Sequence, residues 1–225
     1  MLTLLLKYFR DTRLVWDVMG PVYNRYIYDA IAELYEHIVH QLESETLTRI
    51  LDAGTGRGYI SLMLAAQNPQ VSVIGIDYSA TQVRAAEKLR RKRKIANCSF
   101  LRNNVMDIRF NDNIFDAAVS VGSIKHWPDG LKGLREIYRV LNPGGTLIIS
   151  ETDQGVTDEA VRQFIRRFHI WFLPDGLLFW GLRRVVFGES YSEKSLEDVV
   201  RKAGFRNIVR QRVPACPYVI IKACK

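Results

Sequence analysis

Residues Arg49-Ile50-Leu51-Asp52-Ala53-Gly54-Thr55-Gly56-Arg57-Gly58-Tyr59 place a short apolar strand, a glycine turn and a helix start in immediate succession. In an open parallel sheet a ligand sits outside the carboxyl ends of the strands, where glycines let backbone approach it without an intervening Cβ. A dinucleotide loop needs Gly or Ala three positions after its second glycine, but Tyr59 stands there, and no Lys-Ser/Thr pair follows as a phosphate-binding P-loop requires. What remains is an acidic residue ahead of three alternating glycines. A carboxylate at Asp52 is unhelpful beside a pyrophosphate and helpful beside an ammonium or a sulfonium. Nineteen residues after Gly58, Asp77 closes the apolar run that begins at Val71. A carboxylate at that point can accept hydrogen bonds from both hydroxyls of a ribose. Together the two signals predict a nucleoside-cofactor site.

Outward from this segment, short β-branched runs alternate with helix-length amphipathic stretches, so the fold class is α/β with a parallel sheet covered by helices. Strands are expected at 49–53, 71–77, 98–102, 115–121 and 146–151, with helices at about 58–67, 79–93 and 129–140 between them. After the fifth strand the alternation breaks. An aromatic-rich segment at 156–188 reads as an insertion, followed by a helix at about 193–203 and strands near 205–213 and 217–223. Residues 1–48 read mostly as helix, with Val22, Tyr23, Tyr26, Ile27, Ile31, Leu34, Tyr35 and Ile38 at helical spacing.

The chain has 225 residues, 48% of them apolar and 25% charged, the profile of a globular protein with one full core. Its net charge of +8 is compatible with nucleic acid, an anionic membrane surface or an acidic small molecule and chooses none of them. Cys98, Cys216 and Cys224 are odd in number and lack CxxC spacing, so neither a disulfide framework nor a zinc site is expected and a reducing cytoplasm is the default. The opening stretch has an apolar patch of five residues with no basic segment before it, so a cleaved signal peptide is not expected. No apolar run approaches the ~20 residues that span a bilayer, which leaves peripheral membrane contact. The cations Lys88, Arg90, Arg91, Lys92, Arg93 and Lys94 fall in the last turns of a helix, where its dipole favours them, or form a phosphate-contacting patch.

Four stretches carry a family resemblance: LDAGTGRGYISLMLA from Leu51, VIGIDYSATQV from Val73, FLRNNVMDIRFNDNIFDAAVS from Phe100 and LREIYRVLNPGGTLIIS from Leu134. By these, residues 45–155 resemble the class I S-adenosylmethionine (SAM)-dependent methyltransferases, and within them the group typified by ubiquinone and menaquinone biosynthesis. The resemblance implies a Rossmann-like fold, a seven-stranded mostly parallel sheet with helices on both faces. It divides the chain into an N-terminal helical lid at 1–48 and a SAM-binding domain at 49–225, with an acceptor-side insertion at about 156–190. Asn142-Pro143-Gly144-Gly145 is also what any tight turn would use. In such enzymes the residues matching Ala53, Gly54 and Gly56 line the methionine part of SAM, that matching Asp77 binds the ribose, and Tyr78 packs on the adenine. Thr55 and Val121 complete the cofactor-binding set. Where the family shows Gly-Asp, this chain has Asn103-Asn104. Asn104 is then expected to accept from the adenine amino group, less strongly than a carboxylate, while the Val105 N–H meets the ring. Tyr23-Asn24 stands where relatives carry a Tyr-Asp pair in a helix that folds over SAM, although Tyr23 and Tyr26 also suit a helix core.

For the chemistry, His126 in Ser123-Ile124-Lys125-His126-Trp127-Pro128 lies just past the fourth strand, on the side where the methyl group should project. It is the candidate general base, or a hydrogen-bonding loop histidine. His169 is a weaker candidate. Residues 158–172 put Val161, Phe164, Ile165, Phe168 and Phe172 on one helical face with Arg162, Arg166 and Arg167 elsewhere, and aromatic Trp171 to Trp180 follow. These aromatics suit the lining of a pocket for a small, flat apolar acceptor, or the core or a dimer interface. A nucleic-acid methyltransferase is disfavoured because the fourth strand ends in Ser120-Val121-Gly122-Ser123, without an Asn/Asp-Pro-Pro-Tyr/Phe box. A non-catalytic SAM-binding module is the remaining alternative.

Overall fold

The computed structural model describes residues 30–42, 46–167, 176, 179–180, 182–188, 190–214 and 216–225. After α1 (Ala32–His40) come β1 (Arg49–Ala53), α2 (Tyr59–Gln67), β2 (Ser72–Asp77), α3 (Ala80–Lys92), β3 (Cys98–Arg102) and β4 (Phe115–Val121). A 3-10 turn (Ile124–His126), α4 (Gly130–Val140), β5 (Leu141–Thr152), α5 (Asp158–Ile165), a π-helical turn (Leu182–Phe187), α6 (Glu193–Lys202), β6 (Arg206–Gln211) and β7 (Tyr218–Cys224) complete the order. Tyr23, Asn24, Tyr26, Phe168, His169, Trp171 and Phe172 lie outside the described residues, so the expected lid is seen only from residue 30 onward.

The seven strands form one sheet in the order β3-β2-β1-β4-β5-β7-β6. The first five run parallel, and β7 is antiparallel to both β5 and β6. A short connection from β6 can only return antiparallel, since a parallel step needs a crossover of a dozen or more residues. Because strand order reverses at β1, the crevice outside the carboxyl ends of β1 and β4 is the switch point where ligands of such sheets sit.

Both faces are covered, and the two-residue period of the strands sorts the core. Ile50, Val73, Val119, Ile148 and Ile220 face α1, α2, α3 and α5, in a cluster with Leu34, Ile38, Leu62, Ala86 and Phe164. Leu51, Ala118, Leu147, Ile149, Val219 and Ile221 face α4 and α6, in a cluster with Leu134, Ile137, Leu196 and Val200. Side chains cap four helices: Ser79, Asp129, Thr157 and Ser192 each accept a backbone N–H of the first turn. Such caps contribute about 1 kcal/mol each.

β5 begins earlier than the expected residue 146. Leu141 pairs with Phe115 and Thr146 with Ala117, so residues 142–145 bulge from the ladder between them. The Pro-Gly-Gly turn is therefore set inside a strand. Asp116 ties it down, accepting from Asn142 Nδ2 as well as from the N–H groups of Thr48 and Arg49.

Burial decides part of the insertion. Val161, Phe164 and Ile165 are buried in the core, and the Phe164 ring meets Phe187 and Tyr218 edge-on at 6.3 Å. These three side chains complete the fold, because the apolar stripe of α5 packs on the sheet beside Tyr218 of β7 and Ile148 of β5. Trp180 is 52% exposed, with the Arg184 guanidinium 5.9 Å from its ring centroid.

At the end of α3, Arg90 and Arg91 both donate to Glu87, and Arg90 also bonds the carbonyl of Ile95. Hydrogen bonds from Arg90, followed by those from Arg91, bring the Glu87 carboxyl down to about 2 against some desolvation. Two of the six cations are thus spent on helix termination. No helix among the described residues is long and apolar enough to cross a membrane.

Candidate active site at the switch point

The turn 54–58 is stitched to the end of β2. The N–H groups of Gly54 and Thr55 both donate to the Ile76 carbonyl at 2.9 Å, and the Gly58 N–H returns to Thr55 O. Gly54, Gly56 and Gly58 all adopt positive φ, between 55° and 77°. A Cβ on Gly54 would sit 1.8 Å from Ser123 Oγ, so the loop after β4 touches the turn directly. Nothing lies within 4 Å of where a Cβ on Gly56 would be. The mouth of the turn is open above Gly56 and closed beside Gly54.

Asp52 does not face that mouth. It is 1% exposed, and its Oδ2 accepts from the hydroxyls of Thr55 and Ser61. The carboxylate expected beside a ligand cation instead braces the turn from beneath, because the last residues of β1 are enclosed by α2 and β2. Thr55 is buried with it. Ala53 is also fully buried, and its carbonyl accepts from Ser120 Oγ. Of the three residues expected along the methionine chain, it is the one without exposed surface.

Burial pushes the Asp52 carboxyl up to about 6, against the two hydroxyl hydrogen bonds. A folded-state value above the ordinary 3.8 means that the native state holds this proton more tightly than the unfolded chain. The stability it contributes is present below pH 3.8 and is lost as pH rises through about 6. Asp52→Asn keeps an acceptor for both hydroxyls and removes the charge. It is expected to raise stability by on the order of 2 kcal/mol at pH 8 and by much less at pH 4. Thermal unfolding across that range checks this, and an equal effect at both pH values would refute it.

Asp77 closes β2 with both oxygens engaged: Oδ2 accepts the Gly56 N–H at 2.9 Å and Oδ1 the Ser79 N–H at 2.8 Å. A carboxylate has about four lone-pair sites, so these two bonds do not by themselves exhaust what it can accept. Tyr78 beside it is 57% exposed, with the Arg102 guanidinium 5.8 Å from the ring centroid. Asn104 Oδ1 accepts from the Met106 N–H, which fixes its amide while leaving one lone pair of the oxygen. The Val105 side chain is buried against α4. Val121 ends β4, paired with Ser150.

His126 ends the 3-10 turn that follows β4 and is half-buried. Next to it is a group that motif reading passed over. Lys125 Nζ lies 3.0 Å from Glu151 Oε1, with side chains 3% and 0% exposed. Burial alone would push the Glu151 carboxyl up, but the charges of Lys125 and His126, with hydrogen bonds from Lys125 and the Thr152 N–H, hold it below its ordinary value. The available signal was a lysine flanking the candidate base and a glutamate closing an apolar strand. Among the described residues no group of His, Cys, Asp and Glu could hold a metal ion.

A glycine turn, a β2 carboxylate and a polar turn after β4 thus converge at the switch point of a seven-stranded sheet, the arrangement of a nucleoside-binding α/β enzyme. The chain belongs to the methyltransferase domain family, whose model matches residues 44–173. It is a SAM-dependent methyltransferase. It is 28% identical to the demethylmenaquinone methyltransferase of Lactiplantibacillus plantarum over 92% of each chain. To the enzyme of that name from Anoxybacillus flavithermus it is 30% identical, over 72% of this chain and 71% of the relative. Among solved structures, a SAM-dependent methyltransferase from Aquifex aeolicus aligns with a TM-score of 0.64 and 21% identity, covering 84% of this chain and 88% of the other. The cyclase SpnF aligns with a TM-score of 0.64 and 22% identity, over 86% and 80%. At such identities the likeness is one of fold, and a cyclase among the neighbours shows that this fold alone does not name a reaction.

Proposed function

We propose that the protein methylates a small, flat, apolar ring, the quinol form of a demethylated quinone like the demethylmenaquinone in its relatives' name, between the turn 54–58 and the turn carrying His126. The observation that carries this reading is the extent of the likeness to the L. plantarum enzyme. It runs over 92% of both chains and so extends past the cofactor half into the acceptor-side segment.

The residues present suit the donor. Gly56 leaves open space above its backbone, the Asp77 carboxylate stands beside it bonded to the Gly56 N–H, and the exposed Tyr78 ring offers a flat apolar surface next in sequence. Gly54 and Gly56 would hold the methionine end, Asp77 the ribose, and Tyr78, Asn104 and Val105 the adenine. When bound, SAM supplies an already activated methyl group. The tasks left to the chain are positioning, exclusion of water and removal of the acceptor's proton. His126, at the end of the 3-10 turn after β4, takes that proton. A nucleic-acid acceptor fits less well, since Arg90 and Arg91 are engaged by Glu87.

A panel of demethylated quinols, phenols, thiols, amines and RNA, incubated with SAM and assayed for S-adenosylhomocysteine, tests the reading. Turnover with the quinols is the expected result. Turnover confined to RNA or amines would overturn it.

A further inference from the structure

The Lys125–Glu151 pair is an almost fully enclosed ion pair at the carboxyl end of the sheet, and the proposed SAM contacts do not use it. Removing two charges from water costs several kcal/mol per ion, so such a pair is weak evidence for stability and asks for another explanation. Its geometry supplies one. Glu151 Oε2 accepts the backbone N–H of Lys125 at 3.4 Å, while Oε1 faces Lys125 Nζ and accepts the Thr152 N–H at 2.7 Å. Lys125 Nζ also donates to Thr152 Oγ1, which lies 2.8 Å from Ser190 Oγ. Both the backbone and the side chain of the residue before His126 are therefore held by one carboxylate of β5.

The turn itself is pinned on its other side. Ile124 is fully buried, and the His126 N–H donates to Ser123 O. Ile124 and the Lys125 side chain pack inward, and the half-buried His126 follows them at the end of the turn. We propose that Glu151 is a positioning residue: its buried carboxylate, paired with Lys125, fixes the turn that carries His126 and counterbalances the charge the imidazole gains on taking a proton. This rests on the general-base reading above. The proton leaves the acceptor atom that receives the methyl group and moves to the imidazole. Glu151 stays ionised beside the imidazolium, and Lys125 keeps the carboxylate compensated when the imidazole is neutral.

Other titratable groups stand at this end of the sheet. Asp129 caps α4, the Tyr191 hydroxyl lies over Gly130 at the start of that helix, and Asp153 is bonded to Arg212. None of them contacts both the backbone and the side chain of Lys125, as Glu151 does.

Opposite-sign substitutions separate this role from a purely structural one. In Glu151→Gln the titration midpoint of His126, followed by NMR of the imidazole, is expected to fall by about one unit, and in Lys125→Met to rise by a similar amount. Lower stability alone would not move the two in opposite directions. The kcat of Glu151→Gln should fall about tenfold, with the acid limb of its pH profile displaced to lower pH and SAM affinity unchanged. Should either single variant fail to fold with one charge left buried, the Glu151→Gln/Lys125→Met double variant keeps the shape without the charges. It should bind SAM normally and turn over about tenfold more slowly. Unmoved His126 midpoints in the single variants, or wild-type kcat in the double variant, would overturn the inference. Full activity in His126→Gln would instead remove the general base, while the NMR midpoints would still decide what Glu151 does to the imidazole.

Discussion

His126→Gln lowers kcat by about 10²–10⁴-fold while leaving SAM affinity within a factor of about two, the range over which positioned general bases act. Glutamine has similar reach and hydrogen-bonding ability but cannot take a proton near neutral pH. The variant is expected to fold, because fully buried Ile124 and the enclosed Lys125 side chain anchor the turn in the core. Calorimetric titration with SAM and single-turnover methyl transfer check the two halves separately. A variant that turns over at the wild-type rate would return His126 to the status of a loop histidine.

Gly54→Ala is the second large effect, and it arises from backbone. At φ +77° an L-residue costs about 1–2 kcal/mol. The new methyl would also stand 1.8 Å from Ser123 Oγ and 2.6 Å from its Cβ. Ser123 has little freedom to withdraw, since its hydroxyl accepts from the Trp127 indole at 2.9 Å and Trp127 packs closely on Gly133 of α4. Moving Ser123 therefore displaces the turn leading to His126 as well as the turn 54–58. SAM affinity should fall at least about 100-fold, equivalent to ~2.7 kcal/mol, and the unfolding midpoint should drop. Gly56→Ala separates donor binding from folding. Its φ is +55° and its Cβ would meet nothing, so the fold should lose only about 1 kcal/mol. If the donor's methionine end occupies the mouth of the turn, that methyl intrudes on it and affinity falls. Unchanged SAM binding in a folded Gly56→Ala would move the donor elsewhere.

Much of this architecture is local and therefore readable from residue order. Strand and helix periodicity located every described strand of the sheet to within a few residues, except that β5 starts five residues early, where Leu141 pairs with Phe115 across the Pro-Gly-Gly bulge. The glycine turn was legible because only glycine tolerates three positive φ angles so close together, and Asp77 because it ends an apolar run. The insertion was less legible. A stripe of Val161, Phe164 and Ile165 has the same spacing whether it lines a pocket or closes a core, and only packing against Phe187 and Tyr218 distinguished them.

The direction of charged side chains was the least local property. Asp52 stands in the position of a ligand carboxylate, yet its environment is set by Thr55 and Ser61 folding over it. Glu151 and Lys125 are 26 residues apart, and nothing in either segment names the other. They meet because β4 and β5 run parallel with Val121 opposite Ser150, which carries the turn after one strand onto the end of its neighbour. The sequence alone determined the fold class, the family resemblance and the place of the glycine turn, since these depend on short-range pattern and backbone sterics. Only the tertiary structure decided that Asp52 braces the turn and that Glu151 holds the residue before His126, because strand register and desolvation arise between segments distant in the chain.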